Sequence, residues 1–264
     1  MDVIEVAGFR IAFEREGEGP PLVLLHGGYG CDRRAWRRQL DALSDELTVV
    51  AWDAPGHGQS SDPPEIFGLA DYADVLAGFV AALGLDRPHL LGLSFGGGLA
   101  IELYRRHPTV PRTLVLAGAY AGWAGSLPPE VVDERLRRAL REAELPPETW
   151  LPEYMPGMFS PSPAPEIVDE MMSIMLGVHP VGLRAELRAF AAADLRDVLP
   201  TIDAPTLVLH GEHDQRAPLP VAEFLHARIP GSTLAVLPGA GHISNVEAAD
   251  QFNDTVRDFL RTHR

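Results

Sequence analysis

Apolar and polar positions along this chain change their period several times, and each change marks an element. Residues Val3 to Glu14 alternate loosely around Ala7-Gly8, which predicts an antiparallel hairpin at the N-terminus. Apolar runs at Pro21-Leu22-Val23-Leu24-Leu25-His26, at Leu47-Thr48-Val49-Val50-Ala51-Trp52 and at Pro88-His89-Leu90-Leu91 read as strands. Between the last two, Tyr72 to Leu83 has the spacing of an amphipathic helix ending at Gly84. A small-residue helix from Gly97 to Arg106 is stopped by His107-Pro108, and Arg112 to Ala117 gives another strand. Strand and helix in repeated alternation predict an α/β fold, a mostly parallel central sheet flanked by helices on both faces.

The rhythm breaks from Tyr120 to Ala193. Pro128-Pro129, Pro146-Pro147 and Pro161-Ser162-Pro163-Ala164-Pro165 separate helical stretches such as Val131 to Glu144 and Ile167 to Leu176, with no strand signal. The expectation is a helical cap, or lid, over 120–193, inserted into a core made of 1–119 and 194–264. Trp150, Tyr154, Met155, Met158, Phe159, Met171, Met172 and Met175 give the cap an apolar underside. Such residues line a pocket or pack cap against core with the same sequence signature. Tyr29, Trp123, Trp150, Tyr154, Met158 and Met175 are the candidates for the pocket. After the cap, Ala204 to His210 and Ser232 to Leu237 read as strands, and the last helix covers roughly Ala248 to Arg261.

Composition narrows the function classes. The chain has 264 residues, enough for one large α/β domain, and no low-complexity linker divides it. Its formal net charge of −15 argues against nucleic acid and anionic membrane surfaces as partners. Every basic residue other than histidine is arginine, which removes Schiff-base chemistry and a phosphate-loop lysine. The single cysteine, Cys31, permits no intramolecular disulfide and suits a reducing cytosol. The start Met-Asp-Val-Ile-Glu-Val has no signal-peptide pattern, and no apolar run approaches the length of a membrane span. A cytoplasmic protein is expected, with its oligomeric state left open.

The strongest chemical signal is Gly92-Leu93-Ser94-Phe95-Gly96, placed between a strand and a helix. A serine there stands at the tip of a sharp turn, and the glycines leave room where backbone meets backbone. The competing role for Ser94 is a helix N-cap. A serine nucleophile needs a base and an acid, and the C-terminal third offers both after strands: Gly211-Glu212-His213-Asp214, then Pro238-Gly239-Ala240-Gly241-His242. Both would sit at the C-terminal edge of a parallel sheet, where ligand crevices form. Glu212 is the nearest rival to Asp214; the strand after Ser94 ends in Ala117-Gly118-Ala119 and offers no carboxylate. His210, His213 and Asp214 match no clean zinc spacing, so no metal site is expected. The loop Gly27-Gly28-Tyr29-Gly30 and the amide of Phe95 are positioned to supply N–H donors to an oxyanion.

These blocks together resemble the α/β-hydrolase superfamily. The matching pieces are His26-Gly27-Gly28, Asp53-Ala54-Pro55-Gly56-His57-Gly58-Gln59-Ser60, Gly92-Leu93-Ser94-Phe95-Gly96-Gly97, Gly211-Glu212-His213-Asp214 and Gly239-Ala240-Gly241-His242, in family order over nearly the whole chain. The stretch from Asp194-Leu195-Arg196 to Asn245-Val246-Glu247 is similar to the 3-oxoadipate enol-lactonase and small carboxylesterase branch. The resemblance implies Ser94 as nucleophile, His242 as general base and Asp214 as the acid that orients it. It implies Gly28 and Phe95 as the oxyanion-hole amides, and no cofactor. His26, Asp53 and His57 are expected to be structural, His26 by tying down the oxyanion loop. The implied activity is serine hydrolysis of a small-molecule carboxylic ester or lactone. A C–C bond hydrolase or a cofactor-free perhydrolase would use the same triad, and a non-catalytic ligand-binding protein would reuse the same pocket.

Overall fold

The computed structural model describes residues 1–263. The N-terminal hairpin is β1 (Asp2–Val6) and β2 (Phe9–Glu16), joined by Ala7 and Gly8, both at positive φ (50° and 83°). Two left-handed residues make the turn whose twist matches that of paired strands. The other strands are β3 (Pro21–Leu25), β4 (Thr48–Trp52), β5 (His89–Leu93), β6 (Thr113–Ala117), β7 (Thr206–Gly211) and β8 (Thr233–Leu237). Together the described residues form an eight-stranded sheet ordered β1-β2-β4-β3-β5-β6-β7-β8. The pairings of β2 with β1 and with β4 are antiparallel; all the others are parallel.

Every residue of β4, β5, β6 and β7 is buried, as a parallel sheet covered on both faces requires. Edge strand β8 is mostly exposed or half-buried. The covering helices are α1 (Arg37–Leu43), α2 (Leu69–Ala82) and α3 (Phe95–Arg106), then α8 (Leu219–Arg228), the short α9 (Ser244–Glu247) and α10 (Ala249–Arg261) near the C-terminus. The start of α2 lies three residues before the expected one. There the Gly68 N–H donates to the Asp71 carboxylate (2.8 Å), a cap that apolar spacing does not reveal.

Between β6 and β7 come α4 (Pro129–Glu142), α5 (Pro147–Tyr154), α6 (Pro165–Met175) and α7 (Pro180–Ala192). Each begins with a proline at its first position, where the missing N–H costs nothing and the fixed φ is already helical. The prolines that break the sequence rhythm are therefore helix starts. Among the described residues, no helix is long and apolar enough to cross a membrane.

The strand order places the site. From β3 the chain moves outward to β4, and from β5 it moves the other way to β6. The C-terminal ends of β3 and β5, neighbours in register with Leu25 opposite Gly92, open a crevice at this reversal. The β3 end leads to Gly28 and the β5 end to Ser94.

Candidate active site

Ser94 connects β5 to α3 with φ 53° and ψ −110°, a conformation that L-residues rarely adopt. The surrounding backbone enforces it. A Cβ on Gly92 would stand 2.2 Å from the Gly96 carbonyl oxygen, and one on Gly96 would stand 2.2 Å from the Leu25 carbonyl oxygen. Real side chains cannot approach backbone so closely, so both positions require glycine. The Ser94 N–H donates to the Ala117 carbonyl (2.8 Å), pinning the turn to β6. Ser94 occupies the N-cap position of α3, yet its hydroxyl makes no capping hydrogen bond. The side chain is left for the cavity above it.

Asp214 follows β7 and is 7% exposed. Its Oδ1 accepts the N–H groups of Arg216 and Ala217, both at 2.8 Å, while its Oδ2 accepts from His242 Nδ1 at 2.7 Å. Burial alone would raise the Asp214 pKa. The neighbouring His242 and the hydrogen bonds outweigh it and hold the carboxyl below its ordinary value. Glu212 turns elsewhere: it is exposed, and its Oε2 accepts the Gly239 N–H (2.9 Å). The Asp214 bond fixes the His242 ring through Nδ1 and leaves Nε2 for the cavity. No hydrogen bond joins the Ser94 hydroxyl to that ring; both groups line the same cavity.

That cavity, about 290 Å³, is walled by Gly28, Ser94, Phe95 and His242 on the sheet side and by residues of α4, α5 and α7 on the other. The N–H groups of Gly28 and Phe95 donate to no protein acceptor among the described residues. For Phe95 this follows from its place at the first position of α3, where an amide has no helical partner. Tyr29, beside Gly28, is held at φ 59° and stacks on Tyr154 with ring centroids 4.4 Å apart. His26 ties the loop: Nδ1 lies 2.7 Å from the Gly27 carbonyl oxygen, and Nε2 accepts the Ala54 N–H at 3.0 Å. Asp53 accepts from the Arg33 amide and guanidinium and from the Gln59 amide, which accounts for it structurally. Cys31 is buried, and burial pushes its thiol far above the ordinary range.

Four of the six expected pocket residues, Tyr29, Trp123, Tyr154 and Met158, stand on the cavity wall. Trp150 and Met175 do not. Trp150 packs behind the wall, edge-on to Tyr29 and Tyr154 with centroids at 6.4 and 5.9 Å. Met175, wholly buried, belongs to the packing of α6, and its carbonyl lies under the Gly30 turn.

Sequence reasoning also missed polar wall residues. Arg216 lays its guanidinium 3.6 Å over the Tyr154 ring and donates from Nη2 to the Tyr154 carbonyl (2.7 Å). Arg135, Arg138 and Glu142 come from α4, and Glu186 comes from α7. Glu186 is 2% exposed, its Oε2 accepts the Tyr29 N–H at 3.1 Å, and burial pushes its pKa up to about 8. An isolated Glu between Ala185 and Leu187 gives no sequence signal of this.

The model of the alpha/beta hydrolase family matches residues 22–255. The fold superposes on a thermophilic esterase from Thermogutta terrifontis with TM-score 0.93 and 30% identity, covering 100% of both chains. An enol-lactonase from Burkholderia xenovorans gives TM-score 0.88 at 28% identity, covering 98% of this chain and 100% of that one. A putative carbamate hydrolase of Yersinia enterocolitica is 30% identical over 273 residues, 94% of this chain and 91% of the relative.

Proposed function

The chain belongs to the alpha/beta hydrolase family, and we propose that it is a serine hydrolase cleaving a small carboxylic ester or lactone through an acyl-enzyme. The observation that carries this reading is the 2.7 Å bond from His242 to Asp214, made on the wall of the cavity that holds Ser94 on its strained turn. Asp214 keeps the imidazole in the tautomer whose Nε2 lone pair faces the cavity. His242 takes the Ser94 proton as Oγ attacks the carbonyl carbon and returns it to the leaving alkoxide. Water, activated by the same ring, then releases the acid. Gly28 and Phe95 amides bind the oxyanion, each worth about 3 kcal/mol of barrier.

The segment 120–193 acts as the cap, closing the cavity with α4, α5 and α7. A volume of about 290 Å³ lies at the small end of ligand sites and favours short acyl groups or small lactone rings. The test is Ser94→Ala. Turnover of short aryl esters and small lactones is expected to vanish while the fold, followed by circular dichroism, survives. Folded Ser94→Ala protein with undiminished turnover rejects the mechanism.

A further inference from the structure

A buried carboxyl group stands against Gly28, one of the two expected oxyanion donors. Glu186 lines the cavity from α7, and its two oxygens are used differently. Oε2 accepts the Tyr29 N–H (3.1 Å). Oε1 has no hydrogen-bond partner among the described residues, and a Cβ built on Gly28 would fall 1.9 Å from it. Oε1 therefore rests against the backbone of Gly28, whose amide is one of the two oxyanion donors.

No cation faces this carboxyl. His57 Nε2 is 3.5 Å from Oε2, but His57 Nδ1 is engaged with the Cys31 carbonyl (3.2 Å). Burial, aided by neighbouring His26, holds the His57 pKa well below its ordinary value, so the ring is neutral. The phenols of Tyr29, Tyr72 and Tyr154 and the thiol of Cys31 are likewise kept neutral by burial. Across the cavity, Arg138 is paired with Glu142, Arg216 is bound to Tyr154, and Arg135 donates to the Tyr120 hydroxyl and the Arg216 carbonyl. His242 is committed to Asp214. A charged Glu186 would meet no counter-ion, and only the Tyr29 N–H offsets its burial.

We propose that Glu186, in its protonated form, is a catalytic residue whose Oε1–H donates a hydrogen bond to the carbonyl oxygen of the bound ester, beside the Gly28 and Phe95 amides. The proposal rests on the serine-hydrolase reading. The proton has two places: on Oε2, toward His57 Nε2, which lies 3.5 Å away and has no hydrogen-bond partner, or on Oε1, against Gly28; we take the second because Oε2 already accepts from Tyr29. Once ionised, the same group places a negative charge beside a developing oxyanion. The cap thus supplies a third donor that is lost when pH rises through its pKa. A purely structural Glu186, tying α7 to the Tyr29 turn, would share the loss on ionisation but would leave Glu186→Gln as fast as wild type below pH 7.

The experiment compares kcat for wild type, Glu186→Gln and Glu186→Ala from about pH 6 to about pH 10. End-point phosphonylation of Ser94 by a fluorophosphonate checks folding and serine chemistry in each. The wild-type kcat is expected to fall as pH rises through about 8. Glu186→Gln keeps an acceptor for Tyr29 and a weaker neutral donor; it is expected to be about tenfold slower below pH 7, with no fall near pH 8. Glu186→Ala is expected to lose ~10²-fold or more. A fall that persists in Glu186→Gln, a wild type without one, a Gln variant as fast as wild type below pH 7, or one as slow as Ala overturns the proposal. Should Glu186→Ala fail to fold, the Gln profile alone decides. If folded wild type does not label at Ser94, the serine-hydrolase reading falls and this proposal with it. Labelling in every variant with the wrong pH profile sinks the Glu186 proposal alone.

Discussion

The sheet core and the helical segment between β6 and β7 build opposite sides of one cavity by different means. On the core side, backbone meets backbone. Gly92, Gly96 and Gly97 leave no space for a Cβ, Ser94 is locked at positive φ, and strands β4 to β7 are wholly buried. On the other side, α4 buries only Val132 and Ala139 of its fourteen residues, and the cavity sees long side chains: Arg135, Arg138, Tyr154, Met158 and Glu186. Reacting groups need positions fixed to a fraction of an ångström, which interlocked backbone provides. Selecting a substrate needs shape and polarity, which side chains on helices supply and can change without moving the nucleophile. Under the proposed mechanism the core carries the chemistry and the helical segment the selection, with Glu186 crossing between them.

Two substitutions test that division. Asp214→Asn keeps the shape but removes the charge that fixes the His242 tautomer; kcat for a short ester should fall about 10⁴-fold with KM nearly unchanged. A comparable change in KM would mean that the core also selects. Met158→Ala widens the wall of the cavity. It should raise kcat/KM for a butyrate over an acetate ester about tenfold, within the range set by a few apolar groups, while kcat on acetate changes less than about threefold. A large loss on acetate would mean that the helical wall holds the reacting groups themselves. Both are read from steady-state kinetics on purified, folded variants.

The same division separates what the sequence revealed from what it hid. The core was legible because its turns need residue types that stand out in sequence: glycines flank Ser94, a glycine-rich turn precedes His242, an aspartate follows β7, and the structure brings Ser94 and His242 to one cavity with Asp214 on the His242 ring. The helical segment was legible only in outline. Its prolines marked boundaries, but Trp150 and Tyr154 belong to one short helix, and only packing decides that Tyr154 faces the cavity while Trp150 stands behind it. Glu186 was invisible because its partner, Tyr29, is 157 residues away in sequence. A lone carboxylate in a helix reads as surface until tertiary contacts bury it.

The central claim is that Ser94, His242 and Asp214 act as one unit. The most direct measurement is reaction with a fluorophosphonate, followed by peptide mapping and by the rate constant in wild type and His242→Gln. One adduct per chain on Ser94, forming about 10³-fold more slowly in His242→Gln, is the predicted result. An adduct on any other residue, or His242→Gln protein labelling Ser94 at the wild-type rate, would contradict it.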